Sequence, residues 1–493
     1  MDFPRFRSLA GRGALLGLLA LSALFGQPPS GRAAASTAPT AGLAAPTAAS
    51  AAAPADSLGP AADAAVRAAL ARTGVPSASI ALVRGGTIVY AQAYGMAQLE
   101  PARAAAPSMR YAVGSISKEF TAGALLLLQE ARKLSIDDPA GKWVRGLGPA
   151  AGVSIRSLLS HTSGIRDYWP QDYDPPEMLQ AVTPAQIVAR WGDEPLDFPT
   201  GTAWQYSNTG YTVAGMIAER AAGESLFGYL HKRVFAPLGM DSVVDFDAGP
   251  LTSADAAGYT RFALGPARPA AKEGRGWLFA AGELAMTAAD LARWDIALIQ
   301  RRVFDAASYR DLTTEVRLAN GAGAGYGLGL YVQLQSGRRV LKHGGEVGGF
   351  TAENRVYPDD GRAIVVLVNE DATDASDGIA NALEELLFVA DSPADAAAVA
   401  GAKRIFAGLA QGRIDAVLLT ANARSYFTKE ALGDFQASLA PLGAATDFRL
   451  LRSGLRGGLV TRVYEVRFAQ KTLRVVERST PAGLVEQYTV NAM

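Results

Sequence analysis

Not one of the 493 residues is a cysteine, so whatever this chain folds into must be held by packing rather than by cross-links. Disulfides, thiolate nucleophiles, zinc ribbons, iron–sulfur clusters and lipid attachment at cysteine are excluded. The three histidines, His161, His231 and His343, show no His-x-x-x-His spacing, so no built-in transition-metal site is expected and no cofactor is implied. Material for packing is present: 49% of the residues are hydrophobic, with 6 Trp, 16 Tyr and 18 Phe among the large side chains. The length allows about three domain-sized units, or one large enzyme domain with an appendage. The 47 basic and 47 acidic residues cancel, which leaves no basic excess for a phosphate backbone and argues against a nucleic-acid partner.

The ends divide the chain. Arg5, Arg7 and Arg12 precede an apolar run from Gly13 to Gly26, followed by Pro28-Pro29 and the small-residue pattern Ala33-Ala34-Ala35. This is the form of a secretory signal peptide over residues 1–35; the run falls short of the 18 or more apolar residues that a spanning helix needs. Export to the periplasm or medium is therefore expected, with no integral membrane segment once the signal is cleaved; retention as an anchor is the alternative. Residues 36–60 are nearly all Ala, Pro, Thr and Ser and read as a flexible linker. A second linker is expected at 391–401, where Ser-Pro-Ala-Asp-Ala-Ala-Ala follows an apolar run. Beyond it, helical patterns at about 402–424 and 429–441 precede alternating stretches such as Leu459 to Val466, predicting an accessory α+β domain over 402–493 with an antiparallel sheet.

Chemistry concentrates in the central segment, 61–390. Ser115 and Lys118 open a helical run from Glu119 to Leu134. Three residues apart on a helix, they share a face, so the amine can reach the hydroxyl. A serine at a helix start also lies beside unpaired backbone donors and the positive end of the dipole. Alone, Ser-x-x-Lys is also what a capping serine and a solvated lysine look like. Two further phrases support the chemical reading. Tyr206 and Asn208 form a Tyr-x-Asn triplet between turn residues, where a phenol can shuttle a proton and an amide can donate to a substrate carbonyl while accepting from the lysine. His343-Gly344-Gly345 sits in a strand-like run whose glycines allow close backbone approach.

In this order and at these separations, the three phrases resemble the serine β-lactamase and penicillin-binding-protein superfamily, closest to its class C β-lactamase, D,D-peptidase and esterase branch. Leu158 to Gly164, Pro237 to Met240, Ala281 to Ala292 and Tyr326 to Gly329 agree as well, and the resemblance covers about residues 62 to 390. It implies a β-lactamase/transpeptidase-like α/β (α+β) fold: an antiparallel sheet flanked by helices, with strands from about Ser79 to Tyr94 and from 326 to 370, plus an all-helical subdomain. It implies Ser115 as acylated nucleophile, Lys118 as principal base and Tyr206 as second proton-transfer group. Asn208, His343, Gly344 and Gly345 would bind substrate, and the backbone N–H groups of Ser115 and Glu346 would form the oxyanion hole, about 3 to 4 kcal/mol each. Which of Lys118 and Tyr206 holds the proton stays open at this stage.

The third phrase departs from the Lys-Thr-Gly of β-lactamases. His343 is at most partly charged near neutrality and Gly344 has no hydroxyl, so both groups that would hold a substrate carboxylate are weakened. Lys342 alternates to the opposite face. His161, in Ser-His-Thr-Ser-Gly, reads as a residue that ties its turn, since no Gly-x-Ser-x-Gly elbow accompanies it. His231 reads as a surface residue of an amphipathic helix. Residues 166–197, with Tyr168, Trp169, Tyr173 and Trp191, are expected at the cleft mouth. The expectation is an exported serine hydrolase acting through an acyl-enzyme on a small ester, amide or D-amino-acid-containing peptide. The alternatives are a class C-type β-lactamase, a penicillin-binding D,D-carboxypeptidase or, outside enzymes, a catalytically silent binding module. Nothing in the sequence fixes the oligomeric state.

Overall fold

The computed structural model describes residues 58–492 apart from 173–174, 336 and 390–392. The expected signal peptide and nearly all of the first linker lie outside these residues, as does Tyr173. A helix, α1 (Leu58–Thr73), takes in the last three residues of the expected linker.

The central architecture is one seven-stranded sheet made from the two ends of the segment. β1 (Ser77–Arg84), β2 (Thr87–Gln98) and β3 (Arg103–Ala104) come from the N-terminal side, and β4 (Tyr331–Gln335), β5 (Arg338–Val347), β6 (Phe350–Tyr357) and β7 (Arg362–Val368) from the C-terminal side. The order is β3-β2-β1-β7-β6-β5-β4. The join is β1 on β7, antiparallel, with Ile80 opposite Val366 and Leu82 opposite Ile364. Both of these strands are buried on both faces, which is why Ile80, Leu82 and Val83 of β1 and Ala363 to Val368 of β7 lack polar-outward alternation. β4 pairs with β5 only from Arg338 to Lys342, so the stretch from His343 to Val347 has no strand on its outer edge.

Against one face of the sheet lies the helix that carries the nucleophile phrase, α2 (Ser117–Glu130), entered through a tight turn at Gly114–Ile116. Every residue from Ser117 to Leu128 is buried, so α2 is surrounded by protein rather than lying on its surface. Three of its polar side chains, Ser117, Lys118 and Thr121, bond to the backbone of one segment, 280–284. Thr121 donates to the Ala280 carbonyl at 2.7 Å, and Ser117 accepts from Leu284 N–H at 3.1 Å. The regular structure between β3 and β4 is mostly helix, including α3 (Asn208–Ala222) and α4 (Ala288–Ile299). A small sheet of Tyr111–Ala112, Leu284–Met286 and Val244–Asp245 lies at its base. Trp294 of α4 is fully buried, stacks on Phe120 at 4.6 Å and donates to the Glu119 carboxyl at 2.8 Å.

After α5 (Ala375–Val389), the described part of the stretch expected as a second linker, 393–401, is helical. Residues 393–409 form a continuous helix, α6 (Pro393–Leu409). Proline at the first helical position is preorganised for the helix, and the alanines that follow have the highest helix propensity, so Ser-Pro-Ala-Asp-Ala-Ala-Ala starts a helix instead of interrupting one. Two shorter helices, α7 (Ala421–Tyr426) and α8 (Lys429–Leu439), precede an antiparallel meander of β8 (Asp447–Arg456), β9 (Leu459–Arg467), β10 (Thr472–Ser479) and β11 (Val485–Ala492). This part has its own core, with Ile405, Leu409, Tyr464, Val475 and Tyr488 at its centre.

Replacing Trp294 by Ala removes both its packing and the donor to buried Glu119. The expected loss is about 3–5 kcal/mol, measured as a lowered midpoint of chemical unfolding.

Candidate active site

Four elements meet at the start of α2. Ser115 stands in the turn before the helix, and fully buried Lys118 lies one turn on. The ammonium of Lys118 donates three hydrogen bonds: to Ser115 Oγ at 3.0 Å, to Asn208 Oδ1 at 2.8 Å and to the Ala281 carbonyl at 2.8 Å. Those are all the donors the group has. Burial pushes its pKa down to about 7 against the opposing pull of the Asp167 carboxylate. Tyr206 lies across the same space, with its ring centroid 4.8 Å from Lys118 Nζ. Burial raises the phenol pKa well above its ordinary value, an effect only partly offset by its hydrogen bond with Ser115. Of the two groups whose protonation the sequence left open, Tyr206 keeps its proton near neutrality and Lys118 is the one poised to exchange it.

Asn208 is at the first position of α3, where Ser207 caps the helix by accepting from Gly210 N–H. The amide is held from behind by Asp167, whose carboxylate accepts from Asn208 N–H at 3.0 Å and from Nδ2 at 3.1 Å. Sequence reasoning missed Asp167. It follows the Ser-His-Thr-Ser-Gly phrase by three residues, and that proximity was the available signal.

The two amides expected to form the oxyanion hole are brought together by glycines. A Cβ on Gly345 would stand 1.9 Å from the Val113 carbonyl and 3.1 Å from Ser115 N. Gly114, at φ +52°, has Glu346 N only 2.7 Å from where its Cβ would be. The edge of β5 therefore presses directly on the nucleophile turn, placing the amide nitrogens of Ser115 and Glu346 side by side.

The comparisons bear on this geometry. The family model described as Beta-lactamase matches residues 62–387. Penicillin-binding protein 4* of Bacillus subtilis is 28% identical over 346 residues, covering 64% of this chain and 74% of that protein. D-aminopeptidase of Brucella ovis is 29% identical over 313 residues, covering 62% of this chain but only 59% of the enzyme. Among solved structures, a D-stereospecific amidohydrolase from Streptomyces sp. superimposes with a TM-score of 0.57 at 28% identity, over 65% of this chain and 96% of that one. The chain belongs to the serine β-lactamase and penicillin-binding-protein superfamily. It is a serine hydrolase of that superfamily.

Where this superfamily member departs from Lys-Thr-Gly, the structure revises one expectation. His343 lines the cleft, but both ring nitrogens are engaged: Nδ1 lies 2.5 Å from the Gly344 carbonyl and Nε2 2.9 Å from Tyr326 Oη. A carbonyl can only accept, so Nδ1 carries the proton and Nε2 accepts from the tyrosine. Burial pushes the imidazole down to about 3, so it is neutral. His343 thus offers a substrate neither a cation nor a hydrogen bond; it is scaffold. Gly344 turns toward Glu353, whose Oε2 would be 3.3 Å from a Cβ there.

His161 ties its turn as expected. It accepts from Ser207 N–H at Nδ1 (3.1 Å), its carbonyl accepts from Gln205 N–H (2.9 Å), and its ring underlies Tyr206 at 4.1 Å. His231 is exposed. Tyr168 and Trp169 line the cleft, the latter 55% exposed at its mouth, whereas Trp191 belongs to a separate small pocket and donates to Asp172 at 2.6 Å. Trp191 turns away because that carboxylate holds its indole N–H. Among the described residues there is no cluster of side chains that could hold a metal ion, and no helix is long and apolar enough to cross a membrane.

Two outcomes follow. A base must be unprotonated to accept the serine proton, so kcat/KM is expected to rise with pH through about 7, the Lys118 value, and to fall below it. Gly345→Ala should reduce acylation by about 100-fold or more by displacing the oxyanion strand, measured by single-turnover kinetics.

Proposed function

We propose that the protein is an exported hydrolase in which Ser115 is acylated with Lys118 as base, and that its substrates are D-aminoacyl amides, peptides or esters with a free amino group. In this reading the neutral amine of Lys118 takes the Ser115 proton as the hydroxyl attacks the substrate carbonyl. The oxyanion forms against the two amides of Ser115 and Glu346. The amine, now an ammonium with acceptors already in place, returns the proton to the leaving group, with Tyr206 as the protonated partner on the other side of Oγ.

The observation that carries the substrate assignment is the charge of the cleft. Its volume is about 1010 Å³, and among the described residues its lining includes Asp167, Asp197, Glu273, Glu346, Glu353 and Asp371 against one arginine, Arg166; Asp197 is paired with Arg166 at 2.9 Å and Glu353 with Arg355 at 2.8 Å, and Asp167, Glu273, Glu346 and Asp371 remain as the acidic excess. With His343 neutral, the third phrase provides no cation for the carboxylate that a penicillin or a D,D-peptide presents near its scissile bond. The same lining suits an ammonium. The names of the relatives, a D-aminopeptidase and a D-stereospecific amidohydrolase, support the same direction. Export rests on the Arg5 to Ala35 pattern, for which a secreted mature chain beginning at Ser36 is expected by N-terminal mass determination.

The test is a kinetic comparison of D-alanine p-nitroanilide with its N-acetyl derivative, its L-enantiomer and a chromogenic cephalosporin. The free-amine D-substrate should lead its N-acetyl form by about 10- to 100-fold in kcat/KM, the loss of one charged hydrogen bond. Faster turnover of the cephalosporin would instead place the protein with the β-lactamases.

A further inference from the structure

We propose that Asp167 is a positioning residue of this site: its carboxylate fixes the side-chain amide of Asn208 so that Oδ1, and not Nδ2, faces the Lys118 amine. An asparagine amide can lie either way round, and the two orientations differ only in which end donates. Here both neighbours decide. Asp167, 6% exposed, presents acceptors on one side, receiving Asn208 N–H at Oδ1 and Nδ2 at Oδ2. Lys118 presents a donor on the other side, 2.8 Å from Oδ1. Turning the amide over would set oxygen against carboxylate and N–H against ammonium at once, so Asp167 locks the orientation from outside the reacting atoms. The second hydrogen on Nδ2 stays available to a substrate carbonyl.

Asp167 is itself held rigidly. Besides Asn208, the backbone N–H groups of Trp169 and Thr209 bond to its carboxylate, and burial nevertheless raises it to about 6. The charged and titratable groups facing it are Lys118, Tyr168 and Tyr206. Those facing Lys118 are Asp167 itself, Tyr206 and Tyr211 with ring centroids at 4.8 and 5.4 Å, and the neutral imidazoles of His161 and His343. Asp167 is the one anion in this set at neutral pH, so its loss changes Lys118 in a direction that can be foreseen.

In Asp167→Asn, if the new amide keeps its oxygen on Asn208 N–H, its nitrogen meets Asn208 Nδ2 donor to donor. Relief comes from turning Asn208 over, which takes the acceptor away from Lys118, or from turning residue 167 over, which breaks the bond to the backbone. Either way the ammonium form loses support. In the exchange variant Asp167→Asn/Asn208→Asp the donor–acceptor match is restored with polarity reversed, and Lys118 gains a carboxylate in direct contact.

The decisive measurement is NMR titration of the protein with 13C-enriched lysine. The chain has 9 lysines, and the Lys118 resonance is assigned by its absence in Lys118→Arg. Relative to wild type, the Lys118 midpoint should move down by about 1 pH unit in Asp167→Asn and up by at least as much in the exchange variant, with melting temperatures close to wild type. With a turned-over substrate, the acid limb of kcat/KM should follow these midpoints, and the plateau in Asp167→Asn should be at least 10-fold lower with KM little changed. The proposal rests on Lys118 acting as the base, and the two can fail separately: the NMR midpoints need no substrate. An unmoved midpoint in either folded variant would overturn the positioning role. If Asp167→Asn does not fold, an exchange variant that restores neither the melting temperature nor the raised midpoint would do the same.

Discussion

A buried ammonium with three hydrogen bonds organises this molecule. Lys118 is fully shielded from solvent, and its charged form is supported by Ser115, Asn208 and the Ala281 carbonyl, each accepting one N–H, and by the nearby Asp167 carboxylate. Those acceptors come from three places: the turn before α2, the first residue of α3, and the segment that Ser117 and Thr121 also grip. If any of the three elements moves, a donor is left unpaired inside the protein, at a cost of about 1–3 kcal/mol or more for a charged group. The site and the packing of the helical region are therefore one arrangement. The same burial brings the amine to about 7, so the requirement that shapes the fold also sets how readily this amine exchanges a proton near neutrality.

The sheet supplies the remaining constraint. Because β4 stops pairing at Lys342, the outer edge of β5 from His343 onward is left to face the nucleophile turn. Gly345 and Gly114 allow the two backbones to meet where no side chain fits. Neutral His343, closed off by Tyr326 and its own neighbour's carbonyl, stiffens this edge without adding charge. Acidic residues line much of the cleft around it. The catalytic geometry and the charge of the cleft are in this way separable: the first is set by backbone approach, the second by side chains on surrounding loops.

Much of this was legible in the sequence. Ser115, Lys118, Tyr206 and Asn208 stand together because short motifs with fixed spacing carry their own local geometry, a helix face in one case and a helix start in the other. The origin of the sheet from both ends of the segment came from the family resemblance that those same motifs carry. Asp167 was missed: its closeness to the Ser-His-Thr-Ser-Gly phrase hints at the site, but its contact with Asn208 spans a 41-residue separation that no local pattern encodes. The capacity of His343 was similarly hidden: its neutrality depends on burial and on Tyr326, neither of which is encoded next to it. At Pro393 a proline was read as a break where it is a helix start, because proline ends one helix and opens another equally well and the sequence alone does not say which.

The central claim is that acyl transfer proceeds through Ser115. Intact-protein mass spectrometry of the mature enzyme, quenched in acid at intervals after mixing with an acylating D-aminoacyl ester, tests it most directly. The account predicts a transient adduct of the acyl mass, mapped to the peptide containing Ser115 and absent from Ser115→Ala. An adduct that persists in Ser115→Ala, or turnover undiminished by that substitution, would contradict it.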